Sequence, residues 1–161
     1  MQLYLIRHAQ ASDAPDDFAR PLSSRGREQI ASLVQFFRAN AMLRPEEVWH
    51  SPLVRARETA EGLSAGLGWR APFKETDILE PDRDPQAVVR RLNAASGPLA
   101  LVGHEPLLSA LGTLLVKGSP WPLAFAMGKG DVLALERANP GPHGPWVEKW
   151  HVGPELLGPA H

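Results

Sequence analysis

The sequence predicts an α/β domain: a mostly parallel central sheet flanked by helices, finished by a C-terminal antiparallel hairpin. Three observations point there. Short apolar runs suited to buried strands alternate with stretches whose apolar residues recur every three or four positions. The last two strand-like runs follow one another with no helix between them. The 161 residues suffice for one core burying about 70% of the unfolded surface, and neither an internal repeat nor a composition shift marks a second domain.

Leu3 to Ile6 is continuously apolar, as a central strand covered on both faces must be. Ala11 to Pro21 is polar, with Pro and Asp, and reads as a loop above that strand's end. Ser23 or Ser24 can cap a helix whose Ile30, Leu33, Val34 and Phe37 share one face, fading near Asn40. Glu47 to His50 is a second short strand. Ser51-Pro52 reads as the start of a helix, with Ser as cap and Pro at the first helical position. Ala56, Ala60, Leu63 and Leu67 form its buried face.

Ala71 to Glu75 fits an edge strand, Thr76 to Asp84 is irregular and acidic, and Pro85 opens a helix through about Asn93. Leu99 to Val102 is another buried strand, ending at Gly103-His104. A helix beginning near Pro106 carries Leu107, Leu108, Leu111, Leu114 and Leu115 on one stripe. Val132 to Arg137 and Trp146 to Val152 make the hairpin, joined by the Pro/Gly loop Ala138 to Pro145. The domain runs over residues 1–153, and the Pro/Gly-rich stretch 154–161 reads as a frayed tail.

Composition narrows the function. A formal net charge of −1 argues against nucleic acid, whose binders carry a basic face. No apolar run approaches the ~20 residues of a membrane span, and Met1-Gln2-Leu3 enters a strand with no basic leader, so a soluble cytoplasmic protein is expected. The absence of cysteine removes disulfides, thiolate zinc sites and a thiolate nucleophile. Arginine outnumbers lysine 13 to 4.

Chemistry-bearing residues cluster at strand ends. Arg7-His8 ends the first strand, Arg55 falls in the first turn of the helix after the second, and Gly103-His104-Glu105 ends a later one. Open α/β sheets bind ligands beyond the carboxyl ends of their strands. If these strands are parallel neighbours, two imidazoles and two guanidiniums meet in one pocket, and arginine's fork suits a phosphate. Each residue alone also has a bland reading, as a hydrogen-bonded or solvated side chain, and spacing alone leaves both open. His50, His143, His151 and His161 show no metal-ligand spacing. Trp146 and Trp150 read as core.

Leu5-Ile6-Arg7-His8-Ala9, Ser51-Pro52-Leu53-Val54-Arg55-Ala56-Arg57-Glu58-Thr59-Ala60 and Val102-Gly103-His104-Glu105-Pro106 resemble the three signature blocks of the histidine phosphatase superfamily. With Arg20-Pro21-Leu22-Ser23-Ser24-Arg25-Gly26 they are most similar to its SixA-type phosphohistidine phosphatases. The resemblance implies a phosphoglycerate mutase-like fold and a metal-independent reaction without cofactor. His8 would take the phosphoryl group and pass it to water, while Arg7, Arg55 and His104 clamp its oxygens and Arg20 stands near the pocket.

There are departures from the family pattern. Ala9 replaces the usual glycine, which is tolerable unless the turn needs a positive φ. The general acid of larger relatives has no clear counterpart: Glu80, Asp82 and Asp84 lie in the acidic segment, and Glu105 either serves or caps its helix. The expected substrate is a phosphohistidine on a protein, such as a phosphotransfer domain, since the chain has no room for a cap enclosing a metabolite. A phosphatase or mutase acting on a small phosphate ester, and a non-catalytic phosphate- or phosphoprotein-binding module, are the alternatives.

Overall fold

The computed structural model describes residues 1–138, 141 and 144–161. Six strands form one sheet: β1 (Gln2–Arg7), β2 (Glu47–His50), β3 (Phe73–Glu75), β4 (Leu99–Gly103), β5 (Val132–Arg137) and β6 (Trp146–Val152). Their order is β3-β2-β4-β1-β5-β6. The first four are parallel, β5 runs antiparallel to β1, and β6 runs antiparallel to β5. This is the sheet that the sequence predicts, with β4 inserted between β1 and β2.

Among the described residues five α-helices cover it: α1 (Ser24–Asn40), α2 (Val54–Leu67), α3 (Pro85–Leu92), α4 (Leu107–Lys117) and α5 (Pro154–Leu157). Strand alternation divides the core. Leu3 and Leu5 of β1 face a cluster with Leu108 and Leu111 of α4 and Val88 and Leu92 of α3. Tyr4 and Ile6 face Ile30, Leu33 and Phe37 of α1 and Ala56, Ala60 and Leu63 of α2. Each fully buried Leu or Ile contributes about 1.5–3 kcal/mol, so both faces hold β1 rigidly up to its end. Trp150 packs against Tyr4 and Phe37, and Trp146 is buried in the cluster under α3 and α4, both as expected of core residues.

The structure corrects two readings of the sequence. Helix α2 begins at Val54 with Leu53 at its cap, so Ser51 and Pro52 precede it. A Ser-Pro pair signals a start from local chemistry alone, whereas here Ser51 is fully buried and turned to a tertiary partner. The stretch after Gly153 is not frayed throughout: Pro154 is buried, and α5 packs on α1 with Arg25 paired to Glu155. Part of the loop from Ala138 to Pro145, including His143, lies outside the described residues. No helix among those described is long and apolar enough to cross a membrane.

Candidate active site

Beyond the ends of β1 and β4 lies a cleft of about 380 Å³. Arg7, His8, Arg20, Arg55, His104 and Glu105 all line it. Parallel pairing explains the convergence: Arg7 stands opposite Gly103, and His50 opposite Val102, so β1, β2 and β4 end level. The His8 backbone N–H donates to the Gly103 carbonyl at 3.0 Å, carrying the ladder one residue further. The rings of His8 and His104 then lie 5.0 Å apart, centroid to centroid.

The tautomer of His8 follows from one contact. Its Nδ1 lies 2.7 Å from the Ala9 carbonyl oxygen, which can only accept, so Nδ1 carries the proton and Nε2 keeps its lone pair. Burial pushes this imidazole down from 6.5 to about 4. The Ala9 hydrogen bond works against that shift, while the charges of Arg55, Arg7 and Lys129 reinforce it. His104 is pushed further, to about 3, first by burial and then by the charges of His8 and Arg55. Both rings are therefore neutral at pH 7. Ala9 is fully buried without a positive φ, and its N–H donates to Thr59 Oγ1 at 3.0 Å, so alanine is unstrained where glycine is usual.

The arginines are anchored rather than free. Arg7 Nη1 donates to the Met127 carbonyl at 2.7 Å. Arg55 Nη1 donates to the Asp17 carbonyl at 2.9 Å, and its Nη2 reaches Asp17 Oδ2 at 3.4 Å. Arg20 meets the other carboxylate oxygen of Asp17 at 3.3 Å and donates through Nε to the Ser12 carbonyl. Desolvation raises the Asp17 carboxyl, and the Arg20 and Arg55 guanidiniums together more than offset it, holding it below the usual carboxylate range.

Anchoring leaves donors over. Among the described residues five buried side-chain N or O atoms lack a hydrogen-bond partner, and three of them are Arg7 Nε, Arg55 Nε and His104 Nδ1. Buried polar groups are almost always paired, so three unpaired nitrogens on residues lining one cleft are groups that a bound anion could satisfy.

The expected acids separate. Glu80 does not line the cleft; it closes a single 3-10 turn and faces Arg83 at 3.6 Å. Asp82 lines the cleft instead, and Asp84 caps α3. Glu105 lines the cleft, yet its Oε1 accepts from the Ser109 N–H at 2.9 Å in the first turn of α4. Three contributors escaped sequence reasoning: Asp17, Lys129 and Ser51. Asp17 and Lys129 sit in polar loop or turn segments without a motif, and Ser51 has the signature of a helix cap.

The comparisons with known proteins agree with this fold. The profile of the histidine phosphatase superfamily (branch 1) matches residues 3–81. An uncharacterized protein of Picosynechococcus sp. is 34% identical over 149 residues, covering 86% of this chain and 82% of that one. The structure of the protein histidine phosphatase SixA complexed with tungstate superposes with a TM-score of 0.87 at 23% identity, covering 98% of this chain and 100% of that one. A mycobacterial glucosyl-3-phosphoglycerate phosphatase superposes with a TM-score of 0.66 at 18% identity, over 92% of this chain and 96% of the other.

Proposed function

From its membership of the histidine phosphatase superfamily, to which this chain belongs, we infer that it hydrolyses a phosphohistidine carried by another protein, through a phosphoenzyme on His8. The observation that carries the reading is the set of three unpartnered buried N–H donors beside a neutral imidazole whose Nε2 is free. A donor socket next to an unprotonated nucleophile is what phosphoryl transfer requires.

In the first step Nε2 of His8 forms a bond to phosphorus as the substrate's P–N bond breaks. A phosphohistidine protonated on its other nitrogen leaves as neutral imidazole, so the departing group needs no strong acid. In the second step water attacks phosphorus, the P–Nε2 bond breaks, and phosphate leaves with the water's oxygen while the water's proton passes to solvent or to a carboxylate of the cleft. Arg7, Arg55 and His104 hold the equatorial oxygens in both steps, stabilising charge in a site sheltered from bulk water. No step calls on a metal.

The cleft's edge is lined by Asp17 of the short 3-10 turn Asp17–Ala19 and by Pro81 and Asp82, which follow the turn Asp77–Leu79. Such an edge admits a side chain presented by a folded partner, such as a phosphotransfer domain. The likeness to a phosphatase acting on glucosyl-3-phosphoglycerate favours a second reading, a small phosphate ester as substrate.

Turnover of phosphohistidine proteins and of a panel of phosphate esters, both with EDTA present, separates the two. His8→Ala should abolish hydrolysis of whichever class reacts and still bind tungstate. Parental turnover by His8→Ala would overturn the mechanism, and tungstate binding without turnover by the parent would make the protein a binding module.

A further inference from the structure

The described residues place one more cation at the cleft, and no motif accounts for it. Lys129 lines the cavity with Arg7 and His8, and its charge reaches the His8 ring. It stands second in the turn Gly128-Lys129-Gly130-Asp131, closed by the Asp131 N–H donating to the Gly128 carbonyl at 3.0 Å. Gly130 has a φ of 82°, which glycine adopts freely.

The turn is tied to the catalytic strand from both sides. The Gly130 N–H donates to the His8 carbonyl at 3.0 Å, and the Arg7 N–H donates to the Asp131 carbonyl at 3.0 Å. Asp131 in turn accepts from the Gly128 N–H at 2.8 Å and lies 2.9 Å from His151 Nε2, a hydrogen bond that raises the His151 imidazole. The backbone under Lys129 is thus fixed, while its side chain is exposed and takes part in no ion pair among the described residues.

Exposure decides what Lys129 can touch. His8, Arg55 and His104 are buried at the floor, where the transferred phosphoryl group must sit, whereas Lys129 stands at the mouth. Strand order adds a polarity. Glu105 follows β4 and Lys129 precedes β5, so an acid and a cation flank the end of β1 on opposite sides. Building on the phosphatase reading, we propose that Lys129 is a specificity residue: it selects substrates bearing a second anionic group, carboxylate or phosphate, beside the phosphoryl group that is transferred.

Two phosphohistidine peptides differing only in Asp or Asn beside the phosphohistidine test this, with 3-phosphoglycerate and glycerol 3-phosphate as the small-molecule pair. Lys129→Ala should lower kcat/KM on the doubly anionic member of whichever pair reacts by about fivefold, the upper range for an exposed ion pair. The loss should lie in KM, shrink at high salt and clearly exceed any loss on the other member. Lys129→Glu should invert the preference.

Equal losses on both members of a pair, or no loss on either, would overturn the assignment to a second anion. The same comparison read as Kd on His8→Ala protein stands apart from catalysis. Absent turnover by the parent counts against the phosphatase reading, while those Kd values alone decide the role of Lys129.

Discussion

His104 Nε2 lies 2.8 Å from Ser51 Oγ, which ties the end of β4 to the end of β2 directly beneath the cleft. Ser51 Oγ also accepts from the Leu53 N–H at 3.2 Å. A hydroxyl that already accepts is well placed to donate its own proton to Nε2, and the His104 proton then belongs on Nδ1. That is the nitrogen left buried and unpartnered, so Ser51 selects the tautomer able to donate to an anion.

Ser51→Ala is therefore expected to cost about 1 kcal/mol of stability for the lost hydrogen bonds and, separately, about tenfold in kcat by releasing the His104 tautomer. Steady-state kinetics alongside urea unfolding checks this. A normal kcat with reduced stability would confine Ser51 to a structural role.

Arg55→Ala should cost about 10²–10³-fold in kcat, the scale for removing one fixed donor from a transition-state site. The side chain is nearly buried and held by two contacts to Asp17, so solvent cannot replace it. Asp17 and Arg20 would also lose their alignment, and KM should rise with the fall in kcat. Single-turnover rates with a saturating phosphorylated substrate measure the effect, and a near-parental rate removes Arg55 from the socket.

Gly26 supplies a prediction about the fold that ends in the site. A Cβ there would lie 2.1 Å from the Gln10 carbonyl oxygen, two residues after His8. Gln10 is meanwhile held by Ser23 and by Gln29 of α1. Gly26→Ala must push α1 or the His8 loop away, at about 1–3 kcal/mol for overpacking. Thermal unfolding should show the loss. An unchanged Tm would mean that the loop yields without cost.

Most of the sheet was legible because β1, β4 and the start of β5 are unbroken apolar runs (Leu3–Ile6, Leu99–Val102, Val132–Leu135), and His8, Arg55 and His104 were legible because each stands one to five residues past a strand end. Their convergence was not, since no local pattern states that β4 lies between β1 and β2. Ser51 misled for a related reason: a buried tertiary hydrogen bond and a helix cap use the same residue type. Asp17 and Lys129 carry charge in segments whose only sequence signal is polarity. Glu80 shows the converse, an acid in the right stretch that an ion pair with Arg83 takes up.

The two depressed imidazoles set the pH behaviour. In the folded protein His8 and His104 stay unprotonated down to about pH 4 and about pH 3, against 6.5 in the unfolded chain. As the pH falls below 6.5 the unfolded state binds protons that the native state refuses, so these groups withdraw stability progressively until the native rings titrate. Above pH 6.5 they contribute no slope.

Catalysis should follow the native values. The nucleophile stays competent through pH 5, and an acid limb set by His8 belongs near pH 4. Imidazole NMR titration of the native protein, together with urea midpoints between pH 5 and 8, tests both statements without the second ionisation of a phosphate substrate intruding. Titration of His8 at 6.5 or above would mean that its ring is not sheltered, and the neutral nucleophile at weakly acidic pH would go with it.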